Sequence, residues 1–239
     1  MITLNSVSKS YRKGVKSVDN VSLEIRNGEI FGFLGPNGAG KTTTIRMITG
    51  ILAPDEGSVI IDGYDIEKNP FEAKRQFSFV PDSPDMFLNL KAIEYLNFCA
   101  DIYDVKDRQQ KIESLTKKFE IYDSLNNQIQ SFSHGMRQKV VICGALLHSP
   151  KNWILDEPMT GLDPKSSYDL KEMMREHARN NNCVFFSTHV LEVAEKLCDR
   201  VGIISKGKLL FVGTLEEMRE HFKEEGTLEE LFLEMTENA

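Results

Sequence analysis

An α/β fold is predicted: a mostly parallel sheet covered by helices, with an antiparallel β-layer ahead of it and a helical subdomain inserted into it. Three observations predict it. A glycine loop, Gly35-Pro36-Asn37-Gly38-Ala39-Gly40-Lys41-Thr42-Thr43, sits between the apolar run 30–34 and the helix-forming run 44–48. Late in the chain, short apolar runs alternate with helical stretches, the pattern of a parallel sheet whose ligands bind at the carboxyl ends of the strands. From about residue 89 to 148 the apolar period is helical, with few strand signals.

The order strand, glycine loop, helix is what a phosphate-binding P-loop requires. Glycines let backbone N–H groups wrap an anion closely, and the new helix points its positive dipole end at the same place. Lys41 is placed to reach the β- and γ-phosphates of a nucleotide, and Thr42 to offer a hydroxyl to Mg²⁺. At average composition such a pattern arises by chance in on the order of one chain in a hundred of this length.

Taken in order, Ile2-Thr3-Leu4 alternates, and residues 18–25 alternate again up to Asn27-Gly28, a tight-turn signal, so paired strands precede the loop. After the loop helix, Pro54-Asp55-Glu56-Gly57 is a turn and Ser58-Val59-Ile60-Ile61 a strand closed by Asp62-Gly63. Phe77-Ser78-Phe79-Val80 is a further strand, ended where Pro81 and Pro84 exclude continued pairing. Ile93, Leu96 and Ala100 then share one helical face, and Ile112, Leu115 and Phe119 another. Strands resume at 153–155, 184–186 and 201–204, separated by helices over about 164–179 and 190–198. The acidic, amphipathic tail from Leu215 to Met235 reads as two short helices around Gly226. These boundaries divide the chain into a core (1–82 and 151–213), a helical subdomain (83–150) and a helical tail (214–239).

The 239 residues can bury a full core, and 41% apolar with 27% charged residues is the balance of a globular protein. The longest apolar stretches are too short to span a bilayer, and the N-terminus lacks the features of a targeting segment. A net charge of −7 without a long basic run argues against a dedicated nucleic-acid binder. Cys99, Cys143, Cys183 and Cys198 lack metal or redox spacing and read as buried free thiols in a reducing compartment.

Two further stretches carry chemistry. Trp153-Ile154-Leu155-Asp156-Glu157 is an apolar strand ending in adjacent carboxylates, which puts Asp156 where it can hold Mg²⁺ and Glu157 where it can take a proton from water. Ser133, in Phe132-Ser133-His134-Gly135-Met136, caps a helix running to about His148. Its hydroxyl, the Gly135 N–H and the helix dipole equally suit a second anion site, and local physics does not choose between cap and site.

The ordered set of the 35–42 loop, Ser133-His134-Gly135-Met136, Ile154-Leu155-Asp156-Glu157, Gly161-Leu162-Asp163 and Ser187-Thr188-His189 resembles the nucleotide-binding domain of an ABC transporter, and covers nearly the whole chain. The resemblance implies a P-loop NTPase core and ATP and Mg²⁺ as ligands. It also implies a head-to-tail dimer in which Ser133, Gly135 and Asp163 meet the nucleotide held by the partner's P-loop. It implies Tyr11 as the aromatic face on adenine, His189 as the histidine at the γ-phosphate, and Glu157 as the base. A separate transmembrane permease, contacted by the helical subdomain, and a peripheral location on the cytoplasmic face of the membrane follow from it too.

Two departures from the family pattern stand out. Asp82 occupies the position where Gln is usual, adding negative charge beside a triphosphate while keeping an oxygen ligand for Mg²⁺. His134 and Met136 replace the usual signature residues. The signature and the phrase 227–234 are similar to the exporter class that includes antibiotic and antimicrobial-peptide resistance pumps. A soluble relative acting on ribosomes or chromosomes stays open as an alternative, though the long coiled-coil insertion or second cassette of those proteins is not in this sequence. A non-hydrolysing regulatory ATP-binding module also stays open, suggested by Asp82 and the altered signature. His134, His148, His177 and His221 read as surface or packing residues.

Overall fold

The structure is a computed structural model, and it describes residues 1–222 except 13, 85 and 86, together with 230, 232 and 235. Two sheets organise it. β1 (Ile2–Arg12) and β2 (Val15–Ile25) pair antiparallel, and β4 (Glu56–Ile61) and β5 (Tyr64–Asp65) extend them into a four-stranded layer of order β2-β1-β4-β5. The second sheet contains β3 (Ile30–Leu34), β6 (Phe77–Val80), β7 (Asn152–Asp156), β8 (Cys183–Thr188), β9 (Arg200–Ser205) and β10 (Lys208–Gly213). Its order is β10-β9-β3-β8-β7-β6, and every pairing is parallel except the edge pair β9 and β10.

Strands buried on both faces read as continuous apolar runs, and β3, β7 and β8 are buried at every position. Alternation then divides their side chains between two cores. Phe31, Phe33, Ile154 and Phe185 face the antiparallel layer and meet Ile2, Val21, Ile25 and Ile61. Phe185 lies 6.0 Å from Phe31 and 5.5 Å from Phe33 between ring centroids. Trp153, Leu155, Val184 and Phe186 face the opposite core, with Leu170 and Met174 of α6 (Pro164–Arg179). The order of strands is therefore held from both sides, and it places the ends of β3, β7 and β8 next to one another.

Between β6 and β7 run α3 (Ala92–Ile102), α4 (Arg108–Lys118) and α5 (His134–Leu146). Ala92, Leu96 and Ala100 of α3, Ile112 of α4 and Val140, Val141 and Cys143 of α5 are buried together in the helix-side core. Among the described residues the other α-helices are α1 (Lys41–Ile48), α2 (Pro70–Lys74), α7 (Leu191–Leu197) and α8 (Leu215–Phe222).

Asn27-Gly28 makes the expected turn, with Gly28 at φ +81°, and passes the chain from β2 in one sheet to β3 in the other. β1 and β2 pair with each other as antiparallel neighbours. Other expectations are corrected. Cys99 and Cys198 are half-buried, whereas Cys143 and Cys183 are buried as expected, and all four thiols are free. β5, α2 and β10 are additional elements. The second tail helix, around and beyond Gly226, falls largely outside the described residues, although Phe232 and Met235 pack against the small core of Leu34, Ala194, Val201, Ile203 and Met218.

Candidate functional site

The apolar strand β3 delivers the chain into the loop 35–40, and α1 begins at Lys41. Gly40 enters the helix at φ +113°, and a Cβ there would stand 2.7 Å from the Ser17 carbonyl, so only glycine lets the loop pass β2 this closely. The loop lines a cleft of about 240 Å³ with Pro36, Asn37, Gly38, Gly40, Lys41, Thr42 and Thr43, and Asp82 and Glu157 close its other side. Lys41 is 7% exposed. Its ammonium donates to the Gly35 carbonyl at 2.7 Å and the Pro36 carbonyl at 3.3 Å, and lies 3.4 Å from Glu157 Oε1. The buried cation is held by the carbonyls of its own loop and by one carboxylate.

β7 and β8 build the opposite wall. Their register sets Asp156 beside Ser187, and the Ser187 hydroxyl donates to Asp156 Oδ1 while accepting from the Glu157 N–H at 3.0 Å. Burial pushes the Asp156 carboxyl above its ordinary value, hydrogen bonds from Ser187 and Thr42 pull it back, and the nearby charges of Asp82 and Glu157 push it up again. Thr42, Asp82 and Asp156 thus bring a hydroxyl and two carboxylates to one place, an all-oxygen donor set suited to a hard divalent cation.

Glu157 has φ +47°, a conformation that costs a non-glycine residue on the order of 1–3 kcal/mol and that turns its side chain out of the strand end. Its two carboxylate oxygens lie 3.1 Å from His189 Nδ1, just beyond the end of β8. With Glu157 ionised, Nδ1 carries the proton and donates to it, which leaves Nε2 as the ring's second polar atom. Lys41, Glu157 and His189 therefore form one chain of contacts across the cleft.

A second cavity of about 590 Å³ adjoins the first and shares Thr42 and Asp82 with it. Tyr11 and Asp156 line this second cavity, not the phosphate cleft, and the Tyr11 hydroxyl lies 3.5 Å from Thr43 Oγ1. Gly35 and Ala39 are buried in the loop's support. Ser133, Gly135 and Asp163 line neither cavity. The start of α5 and the 161–163 segment lie against each other: a Cβ on Gly135 would be 2.5 Å from the Gly161 carbonyl, and Lys139 of α5 pairs with Asp163 at 3.0 Å. Ser133 caps α5 by accepting from the Met136 N–H at 3.3 Å, and Asp163 caps α6 by accepting from the Ser166 N–H at 2.9 Å. Sequence reasoning missed Ser17, which lines the phosphate cleft from β2, and the joint role of Ser187. Both depend on strand pairing across the fold, and neither has a local signal.

A family model described as ABC transporter matches residues 18–160. The chain belongs to the ABC transporter family. This ABC chain is 38% identical over 231 residues to the ABC transporter ATP-binding protein NatA of Bacillus subtilis (strain 168), with 94% of each covered. It is 35% identical to the SkfA peptide export ATP-binding protein SkfE of the same organism, covering 94% of this chain and 95% of that one. Its fold matches a solved ATP-binding subunit of an ABC transporter with a TM-score of 0.93 at 32% identity, over 98% of this chain and 99% of that one. It also matches a dimeric ATP-binding cassette in a post-hydrolysis state bound to ADP and Pi, with a TM-score of 0.82 at 25% identity, over 90% and 99% of the two chains. The ABC chain is thus an ATP-binding protein with the P-loop NTPase fold. No helix among its described residues is long and apolar enough to cross a membrane.

Proposed function

We propose that the chain is the ATP-hydrolysing motor of an ABC transporter, driving a separate membrane permease in the direction of export. The observation that carries this reading is the convergence of Lys41, Thr42, Asp82, Glu157 and, through Glu157, His189 on one phosphate-sized cleft. In it the loop N–H groups and Lys41 bind the phosphates, with Tyr11 against the base. Glu157 accepts the proton of the attacking water, and His189, which orients that carboxylate, stands ready to hydrogen-bond the γ-phosphate. Thr42, Asp156 and Asp82 would hold Mg²⁺, which supplies charge neutralisation on the phosphates when bound.

Residues 1–82 and 151–213 serve as the ATP-binding core, 83–150 as the helical subdomain that meets the permease, and 214–239 as the tail. Ser133, Gly135 and Asp163 line neither the chain's own cleft nor the cavity beside it, which supports their use on the nucleotide of a second cassette, whether an identical chain or a paralogue. One chain then holds half of each of two sites, and closing on ATP and opening after hydrolysis moves the permease. The exporter direction rests on relatives such as SkfE, and the position on the cytoplasmic face of the membrane on the permease association.

ATP titration and phosphate release test the reading together. The unaltered chain binds ATP and releases phosphate, Lys41→Ala loses tight binding, and Glu157→Gln binds ATP but turns it over at least ~100-fold more slowly. Near-normal phosphate release by Glu157→Gln would remove Glu157 as the base, and retained tight binding by Lys41→Ala would remove the phosphate role of the loop lysine.

A further inference from the structure

Ser17 of β2 lines the phosphate cleft yet takes no part in holding phosphate, metal ion or water. The strand is tied tightly to the loop at this point. The Asp19 N–H donates to the Gly207 carbonyl and the Gly207 N–H to the Ala39 carbonyl, each at 2.8 Å. A Cβ on Gly40 would stand 2.7 Å from the Ser17 carbonyl and 3.4 Å from Val18 Cγ2. Val18 is fully buried in the core beneath the loop. Successive side chains of a strand point to opposite faces, so the Ser17 side chain points out of that core, on the face open to the cleft. It is half-buried, and among the described residues its hydroxyl has no hydrogen-bond partner.

Two landmarks bracket this hydroxyl. The loop and Lys41 mark the phosphate end of a nucleotide. Tyr11 marks the base end: its hydroxyl lies 3.5 Å from Thr43 Oγ1, and Thr43 lines the same cleft as Ser17. In the register of β1 with β2, Ser10 pairs with Lys16 and Arg12 with Val15, so Tyr11 stands opposite the stretch 15–16 and Ser17 is the next residue along. Ser17 is therefore placed between the ring that faces the base and the glycine that admits the phosphates. The part of a nucleotide that joins those two ends is the sugar, and a sugar hydroxyl can donate to or accept from a serine hydroxyl.

We propose that Ser17 is a specificity-determining residue of the cleft, its hydroxyl hydrogen-bonding a ribose hydroxyl, so that the chain favours ribonucleoside over deoxyribonucleoside triphosphates. The proposal rests on the cleft being an ATP site and adds the group that senses the sugar. Loop N–H groups and Lys41 grip any triphosphate, and the Tyr11 ring stacks on any base. Neither contact distinguishes ribose from deoxyribose. The Ser17 hydroxyl does: a ribose gives it a partner, whereas the matching deoxyribose covers it with a methylene and replaces its hydration with nothing.

Equilibrium titration of the full chain with ATP, 2′-deoxy-ATP and 3′-deoxy-ATP tests this without relying on turnover. One of the two analogues is expected to bind about 3- to 10-fold more weakly than ATP, the equivalent of one neutral hydrogen bond. Ser17→Ala should weaken ATP by the same factor, leave that analogue unchanged and so show no preference. Because the hydroxyl has no partner in the protein, thermal unfolding of Ser17→Ala should match that of the unaltered chain, which also shows that the variant is folded. A lowered unfolding temperature would mean that the hydroxyl is already engaged, and would overturn the proposal. Lys41→Ala is a separate arm: it should lose all three nucleotides alike, and tight binding retained there would overturn the ATP site itself, whatever the sugar does. The role of Ser17 alone is overturned if the unaltered chain binds both analogues within about twofold of ATP, or if Ser17→Ala keeps the preference.

Discussion

Replacing Ser187 with Ala removes one hydroxyl that serves two partners at the end of β7. Asp156, 2% exposed, loses the O–H donor to Oδ1, and the Glu157 N–H loses its acceptor at 3.0 Å. A hydrogen bond to a charged group contributes about 1.5–3 kcal/mol, and an orphaned buried donor costs about 1–3 kcal/mol; the two overlap, so a loss of about 2–4 kcal/mol is expected at neutral pH. The sign of the pH dependence follows from Asp156. Its folded-state pKa is already raised by burial, and the Ser187 hydrogen bond is the largest influence lowering it. The variant raises it further. The extra loss is therefore full while Asp156 is ionised, and it shrinks as pH falls through the raised pKa, because a protonated carboxyl no longer needs the donor. Denaturant unfolding of the two proteins at several pH values measures this directly, and phosphate release should fall at least ~10-fold as Glu157 drifts. A loss below about 0.5 kcal/mol at neutral pH, or one that does not diminish in acid, would refute the reasoning.

Other outcomes follow from named contacts. Gly135→Ala forces a Cβ to 2.5 Å from the Gly161 carbonyl, so the start of α5 must shift from the 159–163 segment; phosphate release should fall at least ~10-fold while ATP binding to the chain's own cleft is kept. His148 stacks on Tyr103 at 3.7 Å between centroids, and burial lowers its pKa to about 4. Its depressed folded pKa makes stability complete above the unfolded histidine value of about 6.5 and progressively lost as pH falls from there towards about 4. His148→Phe should flatten that part of an unfolding-against-pH curve. Asp82→Gln should keep ATP affinity within about tenfold on nucleotide titration, since Asp156 and Thr42 remain to supply the oxygen ligands.

Much of this was legible in the sequence because local signals and tertiary demands agree. The strands buried on both faces announce themselves as apolar runs, the glycine loop is bounded by strand and helix, and Ser133 and Asp163 occupy the cap positions that their residue types favour. What was not legible depends on neighbours distant in the chain. Ser187 stands beside Asp156 only through the pairing of β7 with β8, and Ser17 reaches the cleft only because β2 crosses the loop at Gly40. Asn27-Gly28 carries a correct turn signal, but nothing local tells whether a turn stays in one sheet or moves to another.

The central claim is that a chain holds a complete binding cleft but half of a hydrolytic site. Phosphate release per chain, followed over a dilution series at saturating ATP with sizing of the same samples, tests it most directly. The account predicts a turnover per chain that falls in proportion to the paired fraction and vanishes where every chain is single, while ATP binding persists. Constant turnover per chain in samples that are wholly monomeric would contradict it.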